Sequence, residues 1–320
     1  MTDARPAYER GLAEIGDGFY AYLQPDGGWG WSNAGLVADS GHALLIDTLF
    51  DLHLTERMLA EIRRAVPAAA SIDTLVNTHA NGDHCYGNEL LAGARIVASE
   101  QTAAEMSELP PAAMAALVAQ APQMGELGEF FLRCFGSFEF EGIEPTLPND
   151  TFSGELELNV GDVRLRLIEV GPAHTRGDTL VHAPDARVLF SGDILFANAH
   201  PIAWAGPVSH WIDACDRILA LDPAVIVPGH GPLAGTGEVR ELKAYFQYLY
   251  ERARACRVEG MTPVQAARSL SLDRWAEWRE AERLAVNIAN IYAELDGAAE
   301  PPNALEAFQQ MAELARERGD

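Results

Sequence analysis

The chain has 320 residues, a formal net charge of −24 and 48% hydrophobic residues, with an isoelectric point near 4.6. This length and apolar content suit one large domain, or a domain with an appendage. So acidic a chain repels phosphate backbones, and no cluster of Lys and Arg offsets the charge, so we expect no nucleic-acid partner.

Membrane and secretion signals are the next features to exclude. No run approaches the roughly 18 consecutive apolar residues of a transmembrane helix, so we expect no membrane partner. The first ten residues are polar and lack the apolar segment of a signal peptide, and the four cysteines show no CxxC spacing. We therefore expect a reduced, cytoplasmic setting.

The first 65 residues have the pattern of strands followed by a helix. Short apolar runs predict strands, and the spacing after them predicts an amphipathic helix: residues 19–23, 36–39, 43–47 and 51–65. A glycine-rich loop over residues 25–33 contains Trp29 and Trp31. Asp47 stands at the end of the third strand.

The most informative stretch runs from Thr78 to His84, after a buried strand predicted over residues 72–76. It holds two imidazoles and a carboxylate, those of His79, His84 and Asp83. Zinc and similar borderline cations prefer such a mixture of nitrogen and oxygen donors. Taken alone, the stretch is also compatible with an ordinary polar loop.

An insertion follows over residues 101–150. Its first part is rich in Ala, Met and Glu, which favours helix, and Pro110-Pro111 should interrupt that helix. Five phenylalanines then cluster: Phe130, Phe131, Phe135, Phe138 and Phe140. We interpret the insertion as a lid whose aromatic rings, Phe131 among them, shape an apolar pocket. A helical pair with its own small core fits the pattern equally well.

Three more candidate ligands each follow a predicted strand and stand beside Gly or Pro. They are His174 after residues 163–170, Asp193 after 188–190, and His230 after 224–227. Open sheets gather functional groups in the loops at their strand ends, so we expect these loops and the Thr78–His84 stretch to share one site.

Residues 196–204 lie between Asp193 and His230 and contain His200 and Trp204. A histidine at the mouth of a cleft can stabilise an oxyanion or carry a proton, which is the functional interpretation of His200. The alternative is an ordinary loop histidine.

Beyond residue 235 the pattern is helical to the end of the chain. Helices are predicted over residues 237–258, 263–270, 272–295 and 303–318, and two prolines within 297–303 predict a hinge. These helices would either close an active-site mouth or build a dimer interface, and the sequence does not decide between the two.

Taken in order, the candidate residues resemble the motifs of the metallo-β-lactamase-fold hydrolase superfamily: Asp47, His79-x-Asn81-x-Asp83-His84, His174, Asp193 and His230. The family signature is His-x-His-x-Asp-His, so Asn81 departs from it. The resemblance covers roughly the first 235 residues. It implies an α+β fold, the αβ/βα four-layer sandwich. We therefore predict a catalytic domain over residues 1–235, with residues 101–150 as its insertion, and a helical extension over 236–320 packing on or near the active site.

The resemblance also implies where metals and substrate would bind. One metal position would use His79, the residue at 81 and His174. The other would use Asp83, His84 and His230, and Asp193 would bridge the two. Asp47 would orient a ligand by a hydrogen bond. In the family the loop over residues 25–33 overhangs the site, so Trp29 and Trp31 would contact substrate. A hairpin turn whose tryptophans pack on the sheet fits the loop equally well. Phe131 and Trp204 are the other expected pocket residues.

Asn81 weakens the first of these positions, because a neutral amide oxygen is a poorer zinc donor than an imidazole. We therefore predict one tight Zn²⁺ at Asp83, His84, His230 and Asp193, with a second ion bound weakly or not at all. A divalent ion lowers the pKa of bound water to about 7 and polarises a carbonyl. That chemistry suits ester, thioester, lactone or amide hydrolysis, with Asp83 and Asp193 orienting the nucleophile and Asp83 also available as general base.

The sequence narrows the type of reaction more than it narrows the class of substrate. Relatives in the superfamily include lactamases, thioesterases, lactonases and polyketide thioesterase-cyclases, and the aromatic insertion favours an apolar or aromatic acyl group. One alternative is a mono-iron oxygenase resembling the persulfide dioxygenases, because His79, His174 and Asp193 form a 2-His-1-carboxylate set. Another is a non-catalytic binding protein with a degenerate metal site. The expected partner is a small-molecule substrate, and a homodimer is the further candidate if the C-terminal helices build an interface rather than a lid.

Overall fold

Two β-sheets pack face to face and carry helices on their outer sides in the computed structural model, which describes residues 5–297 and 303–319. This is the αβ/βα sandwich of the α+β class, as predicted from the sequence. The layers matter for function because the ends of several strands meet at one edge.

The first sheet has seven strands in sequential order. They are β1 (Gly11–Gly16), β2 (Phe19–Leu23), β3 (Ala34–Asp39), β4 (His42–Ile46), β5 (Thr74–Val76), β6 (Arg95–Ser99) and β7 (Asp150–Phe152). Strands β1 to β4 form an antiparallel meander, and β4 to β7 are parallel. The parallel strands β4 and β5 therefore end side by side, just before Asp47 and His79.

The second sheet has five strands in the order β12-β11-β10-β9-β8. They are β8 (Glu155–Val160), β9 (Val163–Glu169), β10 (Thr179–Ala183), β11 (Val188–Phe196) and β12 (Val225–His230). Only β11 and β12 run parallel within this sheet. Their pairing has two register shifts around Gly192, so β11 is irregular where it carries Asp193.

Side chains that alternate along the strands contribute to two separate hydrophobic cores. Leu44 and Ile46 of β4 join Val181 of β10 in a cluster between the sheets. Their neighbours in sequence, such as Leu45 and Leu180, face the helices instead. Successive side chains on a strand point to opposite faces, so both faces of each sheet are buried.

Helices cover these outer faces. Helix α1 (Leu52–Ala65) begins at Asp51, whose carboxylate accepts a hydrogen bond from the Leu54 amide at 2.7 Å, and it buries an apolar stripe that includes Met58 and Ile62. The short helix α2 (Gly82–Cys85) begins inside the histidine-rich stretch. It is followed by a 3₁₀ segment, Tyr86–Leu91.

The insertion forms three helices, α3 (Glu100–Glu105), α4 (Pro111–Gln120) and α5 (Glu126–Phe135). Pro111 occupies the first turn of α4, so the proline pair separates two helices as predicted. On the second sheet, α6 (Val208–Leu221) and α7 (Thr236–Val258) pack together and against β11.

The remaining helices are α8 (Pro263–Ser269), α9 (Leu284–Asp296) and α10 (Ala304–Arg318). The single helix predicted over residues 272–295 is wrong. A 3₁₀ turn at Asp273–Trp275 is followed by irregular chain, and Glu280 adopts a left-handed conformation before α9 begins. Most of the predicted hinge, residues 298–302, lies outside the described residues. Within the described residues, no helix is long and apolar enough to cross a membrane.

Candidate metal centre and active site

Asp193 lies at the centre of the candidate site, among four imidazoles. Its Oδ2 is 3.8 Å from His79 Nε2, 3.3 Å from His174 Nε2 and 3.4 Å from His230 Nε2. Its Oδ1 is 3.1 Å from His84 Nε2. Asp193 stands inside β11 rather than beyond the end of a strand as the sequence suggested, and the irregular pairing of β11 with β12 turns its side chain into the cluster.

Asp83 contributes a second carboxylate beside this cluster. Its Oδ2 is 3.2 Å from His230 Nε2 and 3.8 Å from His84 Nε2. Among the described residues, three groups have ligand atoms within 4.8 Å of one another: His79, His174 and Asp193; Asp83, His84 and His230; and Asp47, His79 and His84. The first two groups contain the residues of the two metal positions implied by the sequence, apart from Asn81.

Asp47 and Thr78 fix the ring of His84. Asp47 Oδ2 lies 2.9 Å from His84 Nδ1, and Asp47 accepts hydrogen bonds at 2.7 Å from both the amide and the hydroxyl of Thr78. A carboxylate that accepts the Nδ1 proton leaves the Nε2 lone pair directed at the site. Asp47 therefore orients His84 from the Nδ1 side of the ring, whereas Nε2 faces Asp193.

His79 and His174 are held in the same manner by neutral acceptors. Nδ1 of His79 is 3.0 Å from the Thr78 hydroxyl oxygen, whose own proton goes to Asp47. Nδ1 of His174 is 2.7 Å from the Ile202 carbonyl oxygen. In both rings the proton sits on Nδ1, so Nε2 is free to donate a lone pair.

Asn81 takes the place of an imidazole and makes a different contact. Its Nδ2 lies 3.0 Å from Nε2 of His174. Because that ring nitrogen carries no proton, the Asn81 amide donates the hydrogen bond. The amide thus occupies the lone pair that His174 would otherwise offer to a cation.

Burial and charge set the pKa values inside the cluster. Burial lowers the pKa of His79 well below its usual value and also lowers that of His174, so both rings are neutral. Burial acts the same way on His84, but the carboxylates of Asp193 and Asp83 outweigh it and raise the pKa. The same carboxylates raise the pKa of His230 to about 9 against the effect of burial.

The donor set fits a divalent cation. Among the described residues, the buried side-chain atoms without a hydrogen-bond partner include His79 Nε2, His84 Nε2 and Asp193 Oδ1 of this cluster. Two buried carboxylates need compensating positive charge, which a cation supplies. Gly229 provides the room, because a Cβ there would lie 1.8 Å from Asp193 Oδ1.

The cluster opens into a cavity of about 570 Å³. The metal-facing wall includes Asn81, Asp83, His174, Asp193 and His230. The remaining walls are mostly apolar and aromatic, with these rings among them: Trp29, Phe131, Phe135, Phe196, Trp204 and Phe308. A donor cluster at one end of an apolar cavity is the usual arrangement of a small-molecule site.

Helices of the insertion form one side of the cavity. Glu105 of α3 accepts a hydrogen bond from the Arg176 amide at 3.0 Å, and Glu108 pairs with the Arg176 guanidinium at 2.6 Å. Arg176 is two residues from His174, so the insertion is tied to a metal-facing loop. Burial raises the pKa of Glu105.

The C-terminal helix α10 completes the cavity wall through Phe308. That ring lies 5.7 Å from Trp204, 5.9 Å from Phe131 and 6.0 Å from Trp29, measured between centroids. Arg316 of α10 also pairs with Glu126 of α5. Insertion, N-terminal loop and C-terminal helix therefore meet in one aromatic wall.

Two residues predicted to act in the site do not line the cavity in the structure, Trp31 and His200. Trp31 packs on Phe138 at 4.9 Å and under Arg10 at 5.0 Å, rather than facing the cavity as Trp29 does. His200 is fully buried, with Nδ1 2.9 Å from the Tyr245 hydroxyl and its ring against Trp278. Burial lowers the pKa of His200 to about 3. A neutral ring packed among the C-terminal elements cannot reach the cavity, so the proposed oxyanion or proton-carrying role is corrected.

The sequence did not single out Arg283 or Phe308. Arg283 stands just before α9 and lines the cavity although only 2% of it is exposed. Phe308 lies on α10, where the spacing predicted only a helix. The sequence did contain one signal for Arg283: it precedes an apolar helical segment. A charged residue next to such a segment is a candidate for burial, and a buried arginine usually has a specific role.

Comparisons with known proteins agree with this geometry. A family model of the metallo-beta-lactamase superfamily matches residues 27–230. The alpha subunit of 2,4-dinitroanisole O-demethylase from Nocardioides sp. (strain JS1661) is 32% identical over 117 residues, which are 35% of this chain and 33% of that protein. Acyl-coenzyme A thioesterase MBLAC2 from Homo sapiens is 30% identical over 99 residues, or 29% of this chain and 34% of that protein. The matched part thus spans about a third of each relative.

Solved structures show the same fold. A double mutant of the sec-alkyl sulfatase PisA1 gives a TM-score of 0.67 at 16% identity and covers 97% of this chain and 57% of its own. A metallo-beta-lactamase from Pontibacter korlensis gives 0.57 at 21% identity, covering 75% of this chain and 99% of its own. Because the family model matches more than half of the sequence, the chain belongs to the metallo-beta-lactamase superfamily.

Proposed function

We propose that this enzyme hydrolyses an ester, thioester or lactone whose acyl part is apolar or aromatic. One observation carries the proposal. The donor cluster that contains Asp83 and Asp193 opens into an apolar cavity of about 570 Å³. Both parts are needed, because the donor cluster supports hydrolysis in general while the aromatic walls favour one class of substrate.

The proposed metal is zinc, held tightly by Asp83, His84, His230 and Asp193. A divalent cation in that position supplies a Lewis acid and a water with a pKa near 7. The second position, with His79 and His174, is proposed to be weaker. Its support is the contact of Asn81 Nδ2 with His174 Nε2, which a cation would have to displace.

Asp83 and Asp193 are the proposed catalytic carboxylates. Both line the cavity, so both can face a substrate carbonyl or the attacking water. Asp193 is surrounded by imidazoles, which hold its pKa well below its usual range against the effect of burial. Asp83 lies at the edge of the cluster and is the proposed general base.

The acyl group is proposed to bind among Trp29, Phe131 and Trp204. These rings lie on three different parts of the chain and face the same cavity. Aromatic rings bury a large apolar area with little loss of conformational freedom, so they suit a flat or extended acyl chain. The thioesterase activity named for the human relative agrees with an acyl substrate.

A panel of substrates tests this proposal. We expect turnover of p-nitrophenyl octanoate, an acyl-coenzyme A thioester or an aromatic lactone, with kcat/KM rising from acetyl to octanoyl esters. Preference for the acetyl ester would contradict the apolar acyl pocket. Hydrolysis of a chromogenic cephalosporin alone would move the assignment to lactamase chemistry.

The mono-iron oxygenase is the second candidate, and one observation favours it. His79, His174 and Asp193 lie within 4.8 Å as a separate group of two histidines and one carboxylate. Metal analysis with oxygen uptake on a persulfide substrate distinguishes the two candidates. Iron with oxygen consumption supports the oxygenase, whereas zinc with thioester hydrolysis supports the hydrolase. A protein that binds no metal and turns over neither substrate would be a non-catalytic binder.

A cytoplasmic location, a small-molecule partner and a homodimer remain proposals. The net charge of −24 supports the absence of a nucleic-acid partner. Light scattering of the purified protein tests the homodimer directly.

A further inference from the structure

Arg283 is a buried cation in the wall of an apolar cavity. Among the described residues that line the cavity, it is the one lysine or arginine. Its guanidinium carbon lies 4.2 Å from the ring centroid of Trp29 and 5.2 Å from that of Phe196. An arginine is seldom buried unless paired, so its placement among aromatic rings indicates a specific role.

Arg283 has more N–H donors than hydrogen-bond partners within the chain. One terminal nitrogen donates to the His200 carbonyl oxygen at 2.8 Å. That same nitrogen is 3.7 Å from Glu280 Oε2, beyond hydrogen-bond distance. Arg283 Nε and Glu280 Oε2 are both buried without a hydrogen-bond partner. The guanidinium group thus keeps one N–H donor, on the buried Nε, that has no partner within the described chain.

A neighbouring carboxylate is already engaged elsewhere. Glu282 accepts a hydrogen bond from Trp29 Nε1 at 2.9 Å. Glu280 and Glu282 do not line the cavity, whereas Arg283 does. These carboxylates lower the cost of burying the cation, and the guanidinium is what a ligand in the cavity would meet.

Arg283 also stands at a definite position relative to the metal-facing residues. The Phe196 ring stacks on His230 with a centroid distance of 5.1 Å and an interplanar angle of 4°. Since the same ring contacts Arg283, the guanidinium is no more than about 10 Å from the His230 imidazole. An extended acyl chain of medium length spans that distance.

We propose that Arg283 binds a carboxylate at the far end of the substrate's acyl chain. The preferred substrate class is then a half-ester or half-thioester of a dicarboxylic acid, with the scissile carbonyl at the donor cluster and the second carboxylate at Arg283. The proposal rests on the proposed function, because it assumes that the acyl group occupies this cavity. Carboxylate and guanidinium match in geometry, which supports this choice of ligand.

The test compares two substrates that differ in one group, p-nitrophenyl hexanoate and mono-p-nitrophenyl adipate. We expect the wild-type enzyme to prefer the adipate half-ester by about tenfold or more in kcat/KM, mainly through KM. Arg283→Gln should remove that preference, and Arg283→Lys should keep part of it. Arg274→Gln is the control, because Arg274 also lies over a tryptophan, Trp275, but outside the cavity. Wild-type enzyme that hydrolyses both esters without preference overturns the proposal even if the variants fail to fold.

A binding measurement separates this inference from the proposed function. Calorimetry with the metal-loaded protein would compare adipamic acid with hexanamide, which differ only in the distal carboxylate, and Arg283→Gln should weaken adipamic acid at least about tenfold while changing hexanamide little. If no ester is hydrolysed but adipamic acid binding depends on Arg283, the proposed function fails and the carboxylate site stands. Equal adipamic acid affinity in wild type and Arg283→Gln overturns the site, because the distal carboxylate then binds elsewhere.

Discussion

The carboxylate of Asp47 lies 2.9 Å from Nδ1 of His84 and at the same time accepts two hydrogen bonds from Thr78. All three groups are buried. This arrangement connects the end of β4 to the histidine-rich stretch and fixes which nitrogen of His84 faces Asp193.

Asp47→Asn should therefore weaken metal binding without removing a ligand. The neutral amide accepts the His84 proton poorly, so we expect about 10- to 100-fold lower metal affinity, measured by competition with a chelator. Asp73→Asn is the matched control, because Asp73 pairs with His42 at 3.1 Å on the surface. Equal losses in the two variants would show that Asp47 acts only through general stability.

Asn81→His should strengthen the second metal position. The substitution removes the amide that donates to His174 Nε2 and adds an imidazole donor. We expect the number of tightly bound zinc ions to rise from about one to about two per chain, counted by metal analysis after dialysis. Asn81→Ala should leave the count at about one. Two equally tight ions in the wild-type protein would refute this explanation.

Much of this site was predictable because the ligands follow short, strongly apolar strands. Asp47 and His79 follow β4 and β5 as the sequence placed them, whereas His230 is the last residue of β12 rather than a residue beyond its end. Asp193 was displaced into β11 by irregular pairing with β12, which no local pattern reveals.

The far wall of the cavity was harder to predict because it depends on contacts distant in sequence. Trp29, Phe131 and Phe308 meet only after the insertion and C-terminal helices pack together. The break before α9, which places Arg283 in the cavity, lies where an uninterrupted helical pattern predicted one long helix. His200 had the right sequence context, but packing against Tyr245 placed it elsewhere.

Phe308→Ala should reduce the preference for long acyl groups. Its ring contacts aromatic residues from three parts of the cavity wall, so its loss enlarges the pocket. We expect KM for an octanoyl ester to rise several-fold relative to an acetyl ester, with a stability loss of about 1–3 kcal/mol because the ring is only partly buried.

Phe152→Ala is the matched control for that experiment. Phe152 belongs to the core between the sheets, so its removal should lower stability but leave the ratio of the two esters unchanged. A ratio that changes equally in both variants would indicate a general loosening of the fold.

His200 should make the protein less stable in acid. Its folded pKa of about 3 lies below the usual value of 6.5, so the unfolded state binds the proton more strongly. The stabilising contribution is complete above pH 6.5 and is lost as pH falls from 6.5 toward 3. At pH 5 the loss amounts to about 2 kcal/mol.

Urea unfolding at pH 7.5 and pH 5 measures this contribution. His200→Gln should show a smaller difference in unfolding free energy between the two pH values than wild type, whatever its absolute stability. An identical pH dependence in His200→Gln would contradict a buried, neutral His200.

The central claim is that the buried cluster around Asp193 binds the cation on which hydrolysis depends. The most direct measurement is the hydrolysis rate of p-nitrophenyl octanoate during stepwise return of zinc to chelator-treated protein, with bound metal quantified at each step. We predict that activity rises with bound zinc and reaches its plateau near one ion per chain. Full activity in protein without measurable metal would contradict the claim.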